Sequence, residues 1–569
     1  MVGMCRMNGF VMMRGSRLLA CTLLAFALGG PATGSEHAAP TSLEAQSGAH
    51  VTGDSASAHR DEQPGLPLGF GAEFEQRLSA VTKLSIAERS DRQALTEFYA
   101  ERQNEPVWTS RTSYTPAAEA VRAEIARAND WGLDASAFRI PALAAGRELT
   151  RTERAEAEIA LSLAVLQYAR YARGGRTDPL ALSRNLDRQP PLLEPRKVIE
   201  AAVGTGAPDA HLRSLHPQDP QFERLRRLYV AARQTNPGED DIAPGKSKGA
   251  KKRENSHSRV TREKLLVNME QWRWMPEDLG RLYVWVNIPE YMVRVMKDGR
   301  EIHSERVVVG RPSTATPIFS KQMKYIVFQP RWNVPDSIKT NELLPGLAAG
   351  DYSVLSRQGL RVSLRGRDIH PGSVDWSRVD VRKYYFYQPP GGGNALGQVK
   401  FLFPNKHDVY LHDTPNRGLF GSQARAFSHG CIRVRQPLKL AEVLLGEDQG
   451  YTPDRVKMTV QRGPQDNQIN LQGNIPVHLT YFTVWVDDDG SAHTFPDVYS
   501  HEHRIAYGLA GKLHLIKREP ESAPQTVVRS ARRSWRETNE RGTRSYDNVG
   551  GSTGGRGADP NWMRGVFRN

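Results

Sequence analysis

The sequence predicts an α+β protein, with a mostly helical N-terminal domain followed by a mainly β domain. Apolar residues recur at helical spacing between about residues 69 and 235, whereas β-rich runs dominate after about residue 261. Residues 236–260 between them are rich in Pro, Gly and Lys, a composition typical of a flexible linker. We therefore expect a helical domain at 69–235, a basic linker at 236–260, a β domain at 261–462 and a C-terminal extension at 463–516.

The first 35 residues have the three parts of an export signal. Arg6, Arg14 and Arg17 precede an apolar run at 18–28, and small residues follow it. The run is shorter than the roughly 20 residues that span a bilayer. We expect a cleaved signal peptide at 1–35 and no membrane span afterwards, with an uncleaved anchor as the alternative. Residues 36–68, rich in Ala, Ser and Gly, are expected to form a disordered spacer.

The net charge of +14 favours polyanionic surroundings such as nucleic acid, an anionic membrane face or cell-wall polymers. Lys and Arg are spread along the chain and form no recognisable nucleic-acid motif, so no nucleic-acid partner is expected. The tail at 517–569 is rich in Arg, Ser and Gly and is expected to be disordered.

Capping signals place the helices of the first domain. Thr115 and Pro116 have the residue types of an N-cap and a first helical position. Thr150 and Glu153 have capping-box spacing before a long apolar helix that should stop near Gly175.

Alternating and β-branched runs predict the strands of the second domain, at 282–286, 291–296, 302–309, 325–328, 456–461 and 477–486. Helices are expected at 343–349 and 438–445. Residues 336–397 combine a short predicted helix with polar loops and end in a run of Pro and Gly. This composition indicates a mobile lid inserted in the domain.

Removing the signal peptide leaves Cys431 as the single cysteine, since the other two are Cys5 and Cys21. One cysteine cannot form an internal disulfide, and a lone thiol in an oxidising compartment is a liability unless it is used. Cys431 is therefore a candidate nucleophile, with a buried inert cysteine as the alternative.

A nucleophilic cysteine needs a base, because a free thiol titrates near ~8.5. His412 lies 19 residues upstream at the end of a predicted strand and can take the proton, holding the thiolate as an ion pair. His429, two residues from Cys431, is expected to shape the site. The same cysteine and histidines, with His407, could instead bind zinc, although they lack the close paired spacing of structural zinc ligands.

The backbone N–H groups of Gly430 and Cys431 are candidate oxyanion donors, and Gly430 permits close approach. Arg433 follows two residues after the nucleophile and can hold an anionic substrate group or order the loop.

The heptad from Ser428 to Val434, preceded by His412, resembles the signature of the L,D-transpeptidases of bacterial cell walls. Several other segments are similar to the larger branch of that family: Val309-Gly310-Arg311, Thr316-Pro317, Trp332-Asn333-Val334-Pro335, Pro389-Pro390-Gly391, Asn394-Ala395-Leu396-Gly397, Lys400-Phe401, Phe403-Pro404-Asn405 and His412-Asp413-Thr414-Pro415. The resemblance implies a helical scaffold domain, a β-sandwich-like catalytic domain and an inserted lid. One departure is that the basic linker stands where larger members usually carry a peptidoglycan-binding module.

The resemblance also implies the reaction. Cys431 would attack a tetrapeptide stem of peptidoglycan in the periplasm, release D-Ala with His412 as base, and pass the acyl group to a second stem as a 3→3 crosslink. No metal or cofactor is expected, and carbapenems should be covalent inhibitors. The implied catalytic residues are Cys431, His412 and Gly430, and those that shape the site or bind substrate are His429, Arg433, Ser428, Asp413, Trp332 and Asn394.

Three alternatives remain at this stage. Water could replace the second stem, which would make the protein an L,D-carboxypeptidase. An outer-membrane protein could be the acceptor and become tethered to the wall. A non-enzymatic wall-binding protein is the third alternative.

Overall fold

The computed structural model describes residues 69–81, 83–235 and 260–516. The predicted signal peptide, spacer and tail, and all of the linker except residue 260, lie outside the described residues. The α+β organisation is confirmed, because a helical region precedes a strand-rich one. No helix in these three stretches combines the length and the apolar character needed to cross a bilayer.

The N-terminal region is an assembly of helices whose starts follow the predicted caps. Its helices are α1 (Phe70–Ser79), α2 (Ile86–Glu101), α3 (Pro116–Ala126), α4 (Arg151–Gly174), α5 (Pro179–Leu182), α6 (Pro195–Gly204), α7 (Pro208–Ser214) and α8 (Pro220–Thr235). Thr115 caps α3, and Thr150 and Glu153 form the capping box of α4, so both predicted starts are confirmed. Helices α1 to α4, α6 and α7 share one hydrophobic core.

Helix α8 and the loop before α6 join this region to the strand-rich one. Helix α9 (Arg262–Arg273) packs on α8, and Phe222, Leu225 and Tyr229 of α8 are buried in the core of the strand-rich domain. In the loop, Asn185 accepts a hydrogen bond from the Ile318 N–H at 2.7 Å. The helical region therefore contributes α8 to the core of the strand-rich domain, while its other helices keep a separate core.

The strand-rich domain is built on a sheet that closes on itself. Its strands are β1 (Leu282–Asn287), β2 (Met292–Lys297), β3 (Arg300–Gly310), β4 (Phe319–Phe328), β9 (Val399–Leu402), β10 (Leu411–His412), β11 (Ala426–Ser428), β12 (Ile432–Val434) and β13 (Asn467–Thr480), and the short hairpin β14 (Val484–Val486) with β15 (Ala492–Thr494) follows. The order is β11-β3-β12-β10-β9-β4-β13-β1-β2, and β3 also pairs with β2. The first half of β3 pairs with β2 and its second half with β12, so this long strand closes the sheet.

The remaining helices of the domain cover the sheet and its C-terminal end. They are α13 (Pro437–Gln449), α14 (Pro453–Arg462) and α15 (His501–Leu509). The helix predicted at 438–445 is confirmed as part of α13. The run at 477–486 covers the end of β13, a turn and β14.

The strand predicted at 456–461 is wrong, because these residues lie in α14. Thr452 caps the helix, Pro453 occupies its first turn, and Val456 and Val460 are both buried. Apolar residues four apart share one face of a helix, and this spacing overrides the β-branched composition that suggested a strand.

The insertion is a folded lid with a core of its own. It contains β5 (Trp332–Asn333), β6 (Arg361–Leu364), β7 (Arg367–Ile369) and β8 (Tyr385–Gln388) in the order β5-β8-β6-β7, with the helices α10 (Asp336–Ile338), α11 (Leu344–Ala348) and α12 (Ser353–Arg357). The helix predicted at 343–349 is confirmed as α11, which directly follows a π-helical turn, Lys339–Leu343. The lid core is formed by Val334, Leu343, Leu347, Leu355, Leu360, Val362, Trp376, Val381 and Phe386.

Candidate active site

The candidate site lies on the face of the sheet that points away from the core of the domain. Leu411, Ile432 and Val434 belong to that core. Because successive side chains of a strand point to opposite faces, their neighbours Tyr410, His412, Cys431 and Arg433 share the other face. Strands β10 and β12 are parallel neighbours, with His412 in register with Arg433.

The pairing places the two predicted catalytic residues diagonally across adjacent strands. Counting back one residue from the Leu411–Ile432 pair puts Cys431 beside Tyr410, and the Ile432 N–H donates to the Tyr410 carbonyl at 3.0 Å. Strands lie about 4.8 Å apart and two residues advance about 6.6 Å along a strand, so the Cα atoms of Cys431 and His412 are about 8 Å apart. A cysteine and a histidine side chain can meet across that distance.

The surroundings of the Cys431 sulfur both raise and lower the pKa of its thiol. Burial raises the pKa of the thiol to about 11, although hydrogen bonds from the backbone and side chain of Tyr410, and the charge of Arg433, lower it. The thiol also lies 3.6 Å from the Asp408 carbonyl, to which it can donate. Tyr410 and Arg433 are therefore in position to stabilise a thiolate once it forms.

The imidazole of His412 is buried and oriented by its own neighbour. Its Nδ1 hydrogen-bonds to the backbone carbonyl of Asp413, which fixes the proton on Nδ1 and leaves Nε2 to act as the base. Burial, together with the charges of Arg433 and Lys400, lowers the pKa of His412 to about 3. The Tyr410 ring packs edge-on against the His412 ring, with centroids 5.7 Å apart.

These two pKa values favour a neutral thiol and a neutral imidazole at rest. The spacing of the residues predicts a thiolate–imidazolium pair, and the difference arises from burial, which sequence spacing does not report. Transfer of the thiol proton to His412 would then accompany the attack by sulfur and not precede it.

The loop before Cys431 is held by side-chain hydrogen bonds to its backbone. Ser428 Oγ accepts from the Gly430 N–H at 3.2 Å and donates to the Cys431 carbonyl at 2.6 Å. Thr316 Oγ1 accepts from the Gly310 N–H at 2.9 Å and donates to the Gly430 carbonyl at 2.7 Å. Gly430 has a φ of +118°, a conformation that favours glycine.

The predicted oxyanion role of Gly430 is weakened by this loop geometry. Its N–H already donates to Ser428, so it would have to leave that hydroxyl to reach a substrate. The Cys431 N–H remains the other candidate donor, as the sequence predicts.

Tyr499, in the C-terminal extension, supports the same loop from outside the catalytic strands. Its hydroxyl donates to the Gly310 carbonyl at 2.6 Å and accepts from the Thr316 N–H at 3.3 Å. No local motif marks Tyr499, since its partners lie nearly 190 residues earlier in the chain.

His429 contacts the lid. Its Nε2 lies 2.9 Å from Glu342 Oε1, on the π-helical turn, and 2.9 Å from Arg311 Nη2. One nitrogen cannot both donate to the carboxylate and accept from the guanidinium, so the tautomer selects between the two contacts. His429, in the loop before Cys431, is thus a point of contact between the lid and the candidate site.

Three residues that the resemblance implies for shaping the site or binding substrate hold the base of the lid and the strand beside it. Asn394 Nδ2 donates to the carbonyls of Pro330 and Pro389 at 3.0 Å each, which ties the two ends of the lid. Trp332 pairs with Gln388 across the antiparallel strands of the lid and packs against its core.

Asp413 is the third of these residues. Its carboxylate accepts from the Thr414 N–H at 2.7 Å and the Gln398 N–H at 2.9 Å, and pairs with Arg417. A Cβ at Gly397, where φ is +58°, would lie 2.2 Å from the Asp413 carboxylate, so this close approach requires glycine.

The proposed zinc ligands do not converge. His407 Nε2 lies 2.9 Å from the carboxylate of Asp187 in the helical region, whereas His429 faces the lid. Within the stretches that the structure describes, no three His, Cys, Asp or Glu side chains are placed to hold a metal ion.

Comparisons with known proteins identify both regions. A family model described as an L,D-transpeptidase catalytic domain matches residues 281–460, and one described as a scaffold domain matches residues 93–228. A putative L,D-transpeptidase of Haemophilus influenzae is 34% identical over 258 residues, which cover 44% of this chain and 50% of the relative. The chain thus spans about half the length of that curated relative.

Solved L,D-transpeptidases are also similar to part of the chain. One from Mycobacterium smegmatis is 13% identical, with a TM-score of 0.17, covering 35% of this chain and 58% of its own. The L,D-transpeptidase LdtMt1 in complex with imipenem is 14% identical, with a TM-score of 0.17, covering 35% of this chain and 59% of its own.

Proposed function

Because the chain belongs to the L,D-transpeptidase family, with a scaffold domain before its catalytic domain, we propose that it crosslinks peptidoglycan through a Cys431 acyl-enzyme. The donor is a tetrapeptide stem, the leaving group is D-Ala, and the product is a 3→3 crosslink. The basic charge and the export signal predicted at 1–35 support a periplasmic location for this activity, against an anionic wall.

One observation carries the proposal: Cys431, His412, Tyr410 and Arg433 share one face of β10 and β12, with His412 held by its Nδ1. A nucleophile, an oriented base and two groups that stabilise the thiolate are the parts that acyl transfer needs. The lid contact at His429 adds a cover over this face.

In the first half-reaction the Cys431 thiol attacks the carbonyl between the diamino acid and D-Ala. The thiol proton passes to His412 Nε2 as the C–S bond forms, and Tyr410 and Arg433 stabilise the negative charge on sulfur. The C–N bond then breaks, and His412 returns the proton to the departing amine of D-Ala. An imidazolium with a low pKa gives up its proton readily, which suits this step.

In the second half-reaction the side-chain amine of another stem attacks the thioester. His412 takes a proton from that amine, a new amide bond forms, and the proton returns to the Cys431 sulfur as the C–S bond breaks. The same base thus serves both halves. A closed lid excludes water and so favours transfer over hydrolysis.

Intact-mass spectrometry of the wild type and of Cys431→Ala, each with imipenem and with a tetrapeptide stem, tests the proposal. We expect one adduct per chain on the wild type and none on the variant, with D-Ala released from the stem. A crosslinked dimer supports the transpeptidase, and free tripeptide without dimer indicates the carboxypeptidase. An adduct that passes only to an outer-membrane protein indicates tethering. A folded wild type that takes no acyl group from either compound contradicts the proposal and favours a wall-binding role.

A further inference from the structure

Lys400 lies in a row of three side chains, one on each of three neighbouring strands, with the candidate catalytic base His412 in the middle. His412 is in register with Lys400 on one side, across the antiparallel pair β9 and β10, and with Arg433 on the other. Neighbouring strands are about 4.8 Å apart, so the row spans about 10 Å at the backbone. The base therefore stands between two cations.

Lys400 points to the same face as the candidate catalytic residues. Its neighbours Val399 and Phe401 are buried in the core of the domain, so the alternation of β9 turns Lys400 to the other face. The charge of Lys400 is one of those that lower the pKa of His412, with which it is in register.

The ammonium of Lys400 has no anion beside it. Among the described residues it makes no hydrogen bond or ion pair, and burial lowers its pKa. Asp466 is the acid whose charge acts on it, but the Asp466 carboxylate accepts from the Arg331 N–H at 2.6 Å. A partly buried cation without a partner is costly, and an anionic ligand relieves that cost.

The reaction proposed above supplies such an anion at this place. The leaving amine must lie at His412 to receive its proton, and in D-Ala the carboxylate is two covalent bonds from that amine. We propose that Lys400 binds the terminal carboxylate of the D-Ala leaving group, an inference that rests on the proposed function. The substrate then follows the strand order, with the scissile carbonyl at β12, the amine at β10 and the carboxylate at β9.

This placement makes Lys400 a specificity-determining residue for the length of the donor stem. A stem that ends one residue after the diamino acid presents a free carboxylate to Lys400. A stem with one more residue has an uncharged amide at that position and leaves the ammonium unpaired. The site therefore selects a tetrapeptide donor over a pentapeptide.

The test compares a tetrapeptide stem with the same peptide carrying a C-terminal carboxamide. The full chain is used as wild type, Lys400→Met, Lys400→Arg and the control Lys324→Met, which removes an exposed lysine on the neighbouring strand β4. Release of D-Ala or of D-alaninamide, and acylation of Cys431 by intact mass, give kcat/KM for each pair. Any change in the pKa of His412 acts on both substrates and cancels in their ratio.

We expect the wild type and Lys324→Met to prefer the free acid by about 10- to 100-fold, the factor that one charge-assisted hydrogen bond supplies. Lys400→Met should lower that preference to near one, and Lys400→Arg should retain most of the preference. Equal losses on both substrates, or a preference that survives Lys400→Met, would overturn the inference while the proposed function stands. A wild type that releases no D-Ala and takes no acyl group at Cys431 refutes both.

Discussion

At the scale of single residues, the site depends on how burial is offset by a few polar contacts. Burial favours the neutral forms of Cys431 and His412, so the proposed chemistry depends on groups that stabilise the thiolate while it exists. Tyr410 contacts both side chains. Its backbone and hydroxyl hydrogen-bond to the Cys431 sulfur, and its ring packs against the His412 imidazole.

Tyr410→Phe should slow acylation of Cys431 by about 10-fold or more, because a hydrogen bond to a charged sulfur contributes about 1.5–3 kcal/mol. The ring packing on His412 is retained, so the fold should be unchanged. Stopped-flow mass spectrometry with imipenem measures the rate, with Tyr385→Phe on the exposed side of the lid as control. Equal rates for the wild type and Tyr410→Phe would contradict the role of the hydroxyl.

Arg433→Gln should raise the pKa of Cys431 above about 11 and that of His412 above about 3, because its positive charge lowers both. The pH profile of Cys431 alkylation by iodoacetamide should move to higher pH, and NMR titration of His412 should move the same way. Arg300→Gln removes an exposed charge at the start of β3 and should leave both unchanged. Opposite shifts of the two groups would show that Arg433 acts through structure and not through its charge.

At the scale of elements, the lid contacts the loop before Cys431 through charged groups at His429. Glu342 on the π-helical turn and Arg311 beside β3 compete for the same nitrogen of His429. The lid can therefore loosen at this point without disturbing its own core.

Glu342→Gln should loosen the lid and increase hydrolysis of the proposed acyl-enzyme by up to about fivefold, since a partly exposed ion pair contributes about 0–1 kcal/mol. Hydrogen–deuterium exchange at residues 339–348 and the lifetime of the acyl-enzyme are the measurements. Asp375→Asn, an exposed acid on the same lid, is the control. Exchange at 339–348 that matches the wild type would argue that the contact does not hold the lid.

Elements marked by nearby residues, such as helix caps, could be predicted from the sequence. Contacts between residues far apart in the chain could not. The capping boxes and the position of His412 at a strand end are readable along the chain. Lys400 and Thr316 lie in segments that resemble the family, but their contacts in the site follow from sheet register and loop packing, which the segments alone do not encode. Tyr499 is marked by no pattern, because it reaches the site from an extension that folds back. The helix α14 is the reverse case, because β-branched residues hid a helical spacing.

At the scale of the whole molecule, the helical region and the strand-rich domain share a core through α8. Leu225 is fully buried there, beside residues of α9 and the sheet. The catalytic domain is therefore not independent of the scaffold that precedes it.

Leu225→Ala should lower the free energy of unfolding by about 2–5 kcal/mol, the usual cost of a cavity at a fully buried leucine. Because the core is shared, exchange protection should fall in β1 as well as in α8. Differential scanning calorimetry and hydrogen exchange measure both effects. Leu161→Ala, in the separate core of the helical region, should spare β1 and serves as the matched comparison. Loss of protection confined to α8 would show that the two regions unfold separately.

The lid leaves and rejoins the catalytic domain at neighbouring positions, since Trp332 faces Gln388 across paired strands and Asn394 ties both ends together. An insertion with two adjacent junctions can be treated as one separable unit of the chain. It can be gained, lost or exchanged between relatives through two adjacent junctions, while the sheet keeps its register. Substrate handling and bond-making chemistry can consequently evolve at different rates within one chain.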